Sequence, residues 1–500
     1  MLHGVWFSPA ATARGAAFYA NRYVETSSFK LNQEESKKTG KRFFYSIFMD
    51  LRGPWNLISF LLSSTVAAFA AKIPFVPSFL ARWLRSRWRS RDNNNTAVLH
   101  HNGKLYALVE SGAPHEVSPQ NLASVGRETF GGKLSHPFTA HPKTCPTTGE
   151  CLFFGYSSES PFCSLSSVLK NGVKAPSVEV PLDEPIMMHD FGITPNYAII
   201  IDIPLAFTPK AIVKGKNVYS WVDNHPSRVG LVARSAIHDR TVRTADSPAQ
   251  FDDHDVKKGL RKVPVQWFSM KNPCFIFHVA SSYEEDRFNT GTQTSEKWVV
   301  LFTVSYAPGF DLDVLGGIYN GNNHEHDVTL MGIMTRYECC LTTGELRETA
   351  ASGNISCEFP VIHNALVGLP VKYCYVAANR EGDTRVDLNN PIRLGRLVKF
   401  ELPQMNVVAS FEFPVGSYIG EFSFVPSAGM SEEDSGHLVG YVTEQVMTED
   451  RANGALIRCL HSYTAVLCAR TMTLVTKIPL PHVVPLGFHG TFIEGIEHVA

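Results

Sequence analysis

A single-domain, all-β propeller is the fold this sequence predicts, and three observations predict it. From Thr96 onward, short runs rich in Val, Ile, Phe and Tyr alternate with Gly, Pro, Asn and Asp. Sustained helical periodicity is confined to an insertion around residues 50–90 and a short stretch near 161–170. No Pro/Ser-rich linker divides the chain, so residues 1–500 read as one domain with an insertion at 50–95. Strands this numerous and this evenly spaced argue for a propeller over a sandwich, and a propeller can hold 500 residues in one unit. The repeat is too diverged for blades to be counted.

Taken in order, the N-terminus Met1-Leu-His-Gly-Val-Trp-Phe7 has no charged-then-apolar leader pattern. Trp55 to Ala71 is apolar but is broken by Asn56, Ser59, Ser63, Ser64 and Thr65, too polar for a spanning helix. Arg82 to Arg91 follows, with five Arg and two Trp. The whole 55–91 segment suits a membrane surface, or alternatively a helical hairpin packed on the domain with its basic face solvated. Asn93-Asn-Asn95 reads as a disordered joint. Val98 to Val109 is a strand pair around Asn102-Gly103, a strong hairpin signal. Thr147-Thr-Gly-Glu150 and Thr342-Thr-Gly-Glu345 read as similar turns, and Tyr197–Pro204 and Trp298–Val304 as buried strands.

Composition excludes several function classes. Hydrophobic residues are 44% and charged residues 19%, a globular balance, and a net charge of −1 provides no field to attract nucleic acid. The ten cysteines form no C-x-x-C pair and read as reduced, mostly buried thiols. The sequons at Asn94 and Asn354 are correspondingly weak glycosylation signals. There is no G-x-S-x-G, P-loop or dinucleotide glycine pattern.

Among 19 histidines, four share one context: a strand end among apolar residues. These are His141 in Pro137-Phe-Thr-Ala-His-Pro-Lys143, His189 in Pro185-Ile-Met-Met-His-Asp-Phe-Gly192, His278 in Cys274-Phe-Ile-Phe-His-Val-Ala280 and His489 in Leu486-Gly-Phe-His-Gly-Thr-Phe492. Glycines flanking the last one permit close backbone approach. A propeller gathers strand ends of different blades on its axis, where converging imidazoles suit a borderline metal such as Fe(II). By context alone any one of them is more readily a core histidine, and only four in matching contexts bring the two readings level. His324-Glu-His-Asp327 follows Asn320-Gly-Asn-Asn323 and reads as a solvated loop, and Glu432-Glu-Asp434 as a structural turn.

These contexts resemble the motifs of the carotenoid cleavage oxygenase family, which also contains stilbene-cleaving oxygenases and a retinoid isomerohydrolase. Phe138-Thr-Ala-His-Pro-Lys143 with Pro146-Thr-Thr-Gly-Glu150, then Met187-Met-His-Asp-Phe-Gly-Ile-Thr194, resemble its first two signatures. Val265-Gln-Trp-Phe268 leading to Cys274-Phe-Ile-Phe-His278 and Tyr283-Glu-Glu285 resembles the third, and Gly487-Phe-His-Gly-Thr-Phe492 the fourth. Ala280-Ser-Ser282 departs from the usual Asn-Ala after the third histidine.

The resemblance implies a seven-bladed propeller with a helical and loop cap over an axial iron. It implies one Fe(2+) per chain on His141, His189, His278 and His489. Behind the histidines it points to Glu110, Glu358 and Glu421, with Glu412 in a decoy motif; a carboxylate there fixes the imidazole tautomer and raises its basicity. Phe277 and Phe488 would line a substrate cavity, or serve simply as core. The implied reaction adds O2 across a conjugated C=C bond of a carotenoid or apocarotenoid, giving two carbonyl products. Alternatives are stilbene-type olefin cleavage, retinoid isomerase chemistry, or a propeller scaffold without chemistry. Met1–Phe7 matches a point inside the family's usual chain, so an opening segment is expected to be missing, and with it any plastid transit peptide. Otherwise the expectation is an intracellular protein, soluble or peripherally membrane-associated.

Overall fold

The computed structural model describes residues 1–7, 17–39, 93–208, 219–238, 260–310, 312, 331–353, 355–382, 394–449 and 456–499. Within them, six sheets follow one another along the chain. The first joins Ala97–His101, Lys104–Leu108, His115–Val117 and Ser124–Arg127. The second joins Lys143–Thr144, Cys151–Tyr156, Cys163–Val168 and Val178–Val180, with Arg261–Lys262 added in parallel at its outer edge. Gly192–Ile193, Tyr197–Asp202, Arg228–Ala233 and Gln266–Ser269 form the third. Phe275–Asn289, Thr294–Tyr306, Ile333–Cys340 and Leu346–Ala350 form the fourth. The fifth holds Cys357–Val361, Tyr373–Ala378, Arg396–Glu401 and Asn406–Glu412, and the sixth Ser417–Pro426, Gly436–Glu449, Leu456–Cys468 and Thr473–Pro479. In the last four sheets the first strands lie side by side, so that edge faces the axis.

The propeller is therefore borne out, but the count of seven blades is corrected to six. Between the sixth sheet and the first stands a two-stranded hairpin, Leu2–Phe7 with Ala17–Arg22. One face buries Trp6 against Leu105, Val117 and Leu122 of the first sheet's core. On the other, the Tyr441 hydroxyl of the sixth sheet donates to the His3 carbonyl at 3.1 Å. The hairpin stands between neighbours as a blade does, yet two strands are too few to make one. The expected helical cap is likewise not found among the described residues, which hold one α-helix, Ser27–Thr39, and two 3₁₀ turns. No described helix is long and apolar enough to cross a membrane. The 55–91 segment, Asn354 and His324-Glu-His-Asp327 lie outside the described residues.

Each pair of adjacent sheets encloses its own hydrophobic core. Phe138, Phe153 and Leu108 fill the wedge between the first and second sheets, and Phe154, Leu165 and Ile200 the next. Leu231, Phe275 and Leu301 lie between the third and fourth, and Phe302, Val376 and Phe400 between the fourth and fifth. Tyr375, Phe422 and Leu467 close the series between the fifth and sixth. A sheet covered on both faces wants apolar residues at every position, so Ala198–Asp202 is buried without a break and shows no two-residue period. The same effect misleads around 161–170, where the expected helix is the strand Cys163–Val168, buried at all six residues between two neighbours.

Turn chemistry follows the sequence closely. Asn102 and Gly103 take φ of 50° and 72° and close Ala97–His101 onto Lys104–Leu108. In Thr147–Glu150 and Thr342–Glu345 the glycine has φ of 71° and 77°, and in each the same pair of backbone bonds closes the loop. Asn94 corrects the expectation of disorder at 93–95. Its side chain is buried and donates to the carbonyls of Ala107 and Ala113, both at 2.9 Å, which also removes it as a glycan acceptor in the folded chain. None of the ten cysteines is in a disulfide, and eight are buried.

Candidate metal centre

Each of the four histidines is delivered by a different local device. His141 sits between the buried Ala140 and Pro142, its N–H held by Thr139 Oγ1 at 3.0 Å, just before the innermost strand of the second sheet. His189 leads into the innermost strand of the third. His278 lies within the innermost strand of the fourth, at a register break between Ile276 and His278, with a second break before Ser281. Register breaks also fall at Glu358–Val361 and Ile419–Phe422, on the innermost strands that carry Glu358 and Glu421. A bulge of this kind re-aims side chains that a regular ladder would turn away. Phe359, inside the Glu358–Val361 break, has φ of 55°, unusual for a buried aromatic.

His489 comes from the C-terminal segment, which reaches the axis from outside the sheets. Its flanking glycines have ordinary φ; the close approach is made at Gly420 instead. A Cβ on Gly420 would lie 3.0 Å from the Gly487 carbonyl oxygen, so the missing side chain lets this segment settle on the sixth sheet beside Glu421.

The four histidines converge. One ligand nitrogen from each lies within 4.8 Å of the others, and His141 Nε2 is 3.0 Å from His189 Nε2. Imidazole–metal bonds of about 2.1 Å place neighbouring ligands about 3 Å apart and opposite ones about 4.2 Å apart. His278 Nε2 is buried with no hydrogen-bond partner among the described residues. That orphaned acceptor and the spacing both fit a metal ion.

Behind the ring stand all three expected carboxylates, and their pairing is now defined. Glu110 Oε1 contacts His189 Nδ1, Glu358 Oε2 lies 2.5 Å from His278 Nδ1, and Glu421 Oε1 lies 3.0 Å from His489 Nδ1. His141 has no such carboxylate among the described residues. Glu412 is the decoy expected, an outer-strand residue paired with Arg380.

Burial, reinforced by the neighbouring imidazoles, holds His141 and His278 well below the usual histidine range, so both are neutral and able to ligate. Burial raises Glu358 to about 7 against the hydrogen bonds it accepts. For Glu110 burial pulls the same way, but the adjoining His189 and the hydrogen bonds from His189 and Tyr156 outweigh it and hold the carboxyl below its ordinary value.

Sequence reasoning missed two layers of support. Asp190 is buried and its carboxylate joins three ligand segments: it accepts from the Phe191 N–H at 2.7 Å and the Val279 N–H at 2.8 Å, and pairs with Lys143 Nζ at 2.8 Å. Its position beside a candidate ligand was the only available signal. Tyr156 donates to Glu110 Oε2 at 2.7 Å and Tyr306 donates to Glu358 Oε1, with no local motif to mark either. Phe277 is half-buried with its ring edge-on to His189, centroids 4.2 Å apart. Phe488 is half-buried against the core between the fifth and sixth sheets.

Comparison with known proteins agrees with this geometry. The family model described as Retinal pigment epithelial membrane protein matches residues 1–494. The carotenoid 9,10(9',10')-cleavage dioxygenase 1 of Arabidopsis thaliana is 30% identical over 99% of this chain and 79% of that protein. The carotenoid 9,10(9',10')-cleavage dioxygenase of Crocus sativus is also 30% identical, over 99% of this chain and 79% of its own length. Among solved structures, cobalt-substituted Synechocystis ACO superposes with a TM-score of 0.65 at 21% identity, over 95% of this chain and 83% of that one. Pseudomonas brassicacearum lignostilbene dioxygenase gives 0.61 at 22% identity, over 81% and 76%. With the match to the family model running nearly end to end, the chain belongs to the retinal pigment epithelial membrane protein family, that of the carotenoid cleavage oxygenases.

Proposed function

We propose that this chain is a non-haem Fe(II) dioxygenase that cleaves a conjugated C=C bond of a carotenoid or apocarotenoid with O2, yielding two carbonyl products. The observation that carries the proposal is the convergence of four imidazoles, one of them with an orphaned buried nitrogen, in a chain of this family. His141, His189, His278 and His489 would hold the iron, and Glu110, Glu358 and Glu421 would fix three of them in the Nδ1–H tautomer that leaves Nε2 free to ligate. When bound, Fe(II) supplies the site at which O2 is activated beside the alkene. Four neutral nitrogen donors leave two of six octahedral positions for O2 and substrate. Phe277, edge-on to His189, and Phe488, next to His489, would present apolar surface to the polyene and keep water from it.

An apolar substrate dissolves in lipid. The Arg- and Trp-bearing stretch 55–91 supports uptake from a membrane surface: its deletion is expected to weaken liposome binding, and unchanged binding and turnover would sink that role.

The decisive experiment is to measure iron in the purified full-length chain and incubate it aerobically with β-carotene, apocarotenals and resveratrol, reading product masses. Aldehyde or ketone pairs from a carotenoid are expected. Cleavage of resveratrol alone would move the substrate to stilbene-type olefins. Well-folded protein with far less than one iron per chain and no product would overturn the enzyme reading in favour of a scaffold.

A further inference from the structure

The carboxylates behind the histidines are not equivalent. Glu421 has its second oxygen on a backbone donor, the Gly490 N–H at 2.7 Å. Glu110 and Glu358 each receive a tyrosine hydroxyl on the oxygen turned away from the histidine, and Glu358 also accepts the Phe359 N–H at 3.0 Å on its histidine-side oxygen. The two tyrosines occupy the same place in two blades: Tyr156 ends Cys151–Tyr156, the second strand of the second sheet, and Tyr306 ends Thr294–Tyr306, the second strand of the fourth. Tyr306 is wedged among Phe275, Phe277 and Phe310, and Tyr156 lies edge-on to Tyr219.

We infer that Tyr156 and Tyr306 are positioning residues of the metal centre, each locking the carboxylate that orients a ligand histidine. The chain of contacts runs from Tyr156 through Glu110 to His189, and from Tyr306 through Glu358 to His278. A carboxylate holding an imidazole N–H with one oxygen can still rotate about its last torsion. A donor fixed on the other oxygen stops that rotation and disperses the negative charge, which keeps the shared proton on Nδ1 and the lone pair on Nε2. Two of the four ligands are aimed in this way by residues that never touch the metal. The inference rests on the four-histidine reading above and adds a layer to it.

The test uses the full-length chain stripped by chelator and reloaded with Co(II), recording both the metal Kd and the visible d–d bands. Tyr156→Phe and Tyr306→Phe are each expected to weaken Co(II) binding about tenfold and shift the bands. The control is Tyr375→Phe, whose buried hydroxyl has no hydrogen-bond partner among the described residues, and it should change neither. In a Glu358→Gln background, Tyr306→Phe should add less than a twofold effect, because its route to His278 is already cut. Melting temperatures are recorded alongside; should Tyr306→Phe fail to fold, Tyr156→Phe carries the same test. Wild-type-like Kd and bands in the tyrosine variants, or equal changes in Tyr375→Phe, overturn the inference while leaving the metal site standing. A wild-type chain that binds no Co(II) overturns both.

Discussion

Two buried charged side chains show how differently the same degree of burial can act. Asp190 has its needs met by two backbone N–H groups and Lys143. Asp190→Asn removes the charge opposite Lys143 and sets an amide N–H₂ against backbone donors. The expected loss is on the order of 2 to 4 kcal/mol in urea unfolding, with reduced metal content because three segments that carry candidate ligands lose their common tie. Lys174 is the opposite case. Its ammonium is buried on three neutral acceptors, Ser166 Oγ, the Ala175 carbonyl and Ser177 Oγ, at 3.1, 3.0 and 2.9 Å. Burial, with Lys133 adding repulsion, lowers its pKa from 10.5 to about 8. Between those values the unfolded chain binds the proton and the folded chain does not, so stability rises with pH from about 8 to 10.5, and the penalty is complete below 8. Ser166 Oγ and Ser177 Oγ keep other partners, in Ala175 and His136. Lys174→Met should therefore stabilise the protein at pH 7, on the order of 1 to 3 kcal/mol, and flatten the rise above pH 8; a destabilised variant at pH 7 would refute this.

Among the elements, the innermost strands are where regular structure gives way to function. Their hydrophobic runs secure them between neighbouring sheets, and three register breaks then turn His278, Glu358 and Glu421 toward the axis. The C-terminal segment depends on a different device, the bare backbone of Gly420. Gly420→Ala places a methyl about 3.0 Å from the Gly487 carbonyl oxygen, and since that neighbour is main chain, the segment must move outward. His489 then drifts from Glu421 while the sheets keep their own cores. Bound-metal content by elemental analysis is expected to fall severalfold with the melting temperature nearly unchanged; equal metal in both proteins would contradict it. Motif recognition found His489 and Glu421 in the sequence, but the glycine that joins them was credited to the wrong side of the contact.

At the scale of the whole molecule, stability lies in the wedges between sheets. Phe302 is fully buried between the fourth and fifth sheets. Phe302→Ala should cost about 3 to 5 kcal/mol in denaturant unfolding, whereas Val415→Ala, at a position 90% exposed, should cost almost nothing. The ring also holds a smaller unit than its six sheets, the hairpin of Leu2–Phe7 and Ala17–Arg22, which draws on the first sheet, the sixth and the C-terminal tail. Trp6 and Phe18 both lie on His498, with centroids 4.9 and 5.5 Å away, so this junction is built from both ends of the chain.

By itself the sequence determined the strand-and-turn texture, the positive-φ turns at Gly103, Gly149 and Gly344 and the thiol state of the cysteines, and it singled out four histidines and three glutamates as candidates. All of these are local: a turn needs its glycine and a motif carries its ligand whatever lies elsewhere in the chain. Only the tertiary structure decided the number of sheets, the strand at Cys163–Val168, the burial of Asn94, the pairing of each glutamate with its histidine, and the roles of Asp190, Tyr156 and Tyr306. Those depend on contacts between segments tens to hundreds of residues apart, such as the 89 residues between Asp190 and Val279. Burial on both faces of a sheet erases the two-residue period that would otherwise identify a strand, and a carboxylate in a loop looks alike in sequence whether it meets solvent or an imidazole.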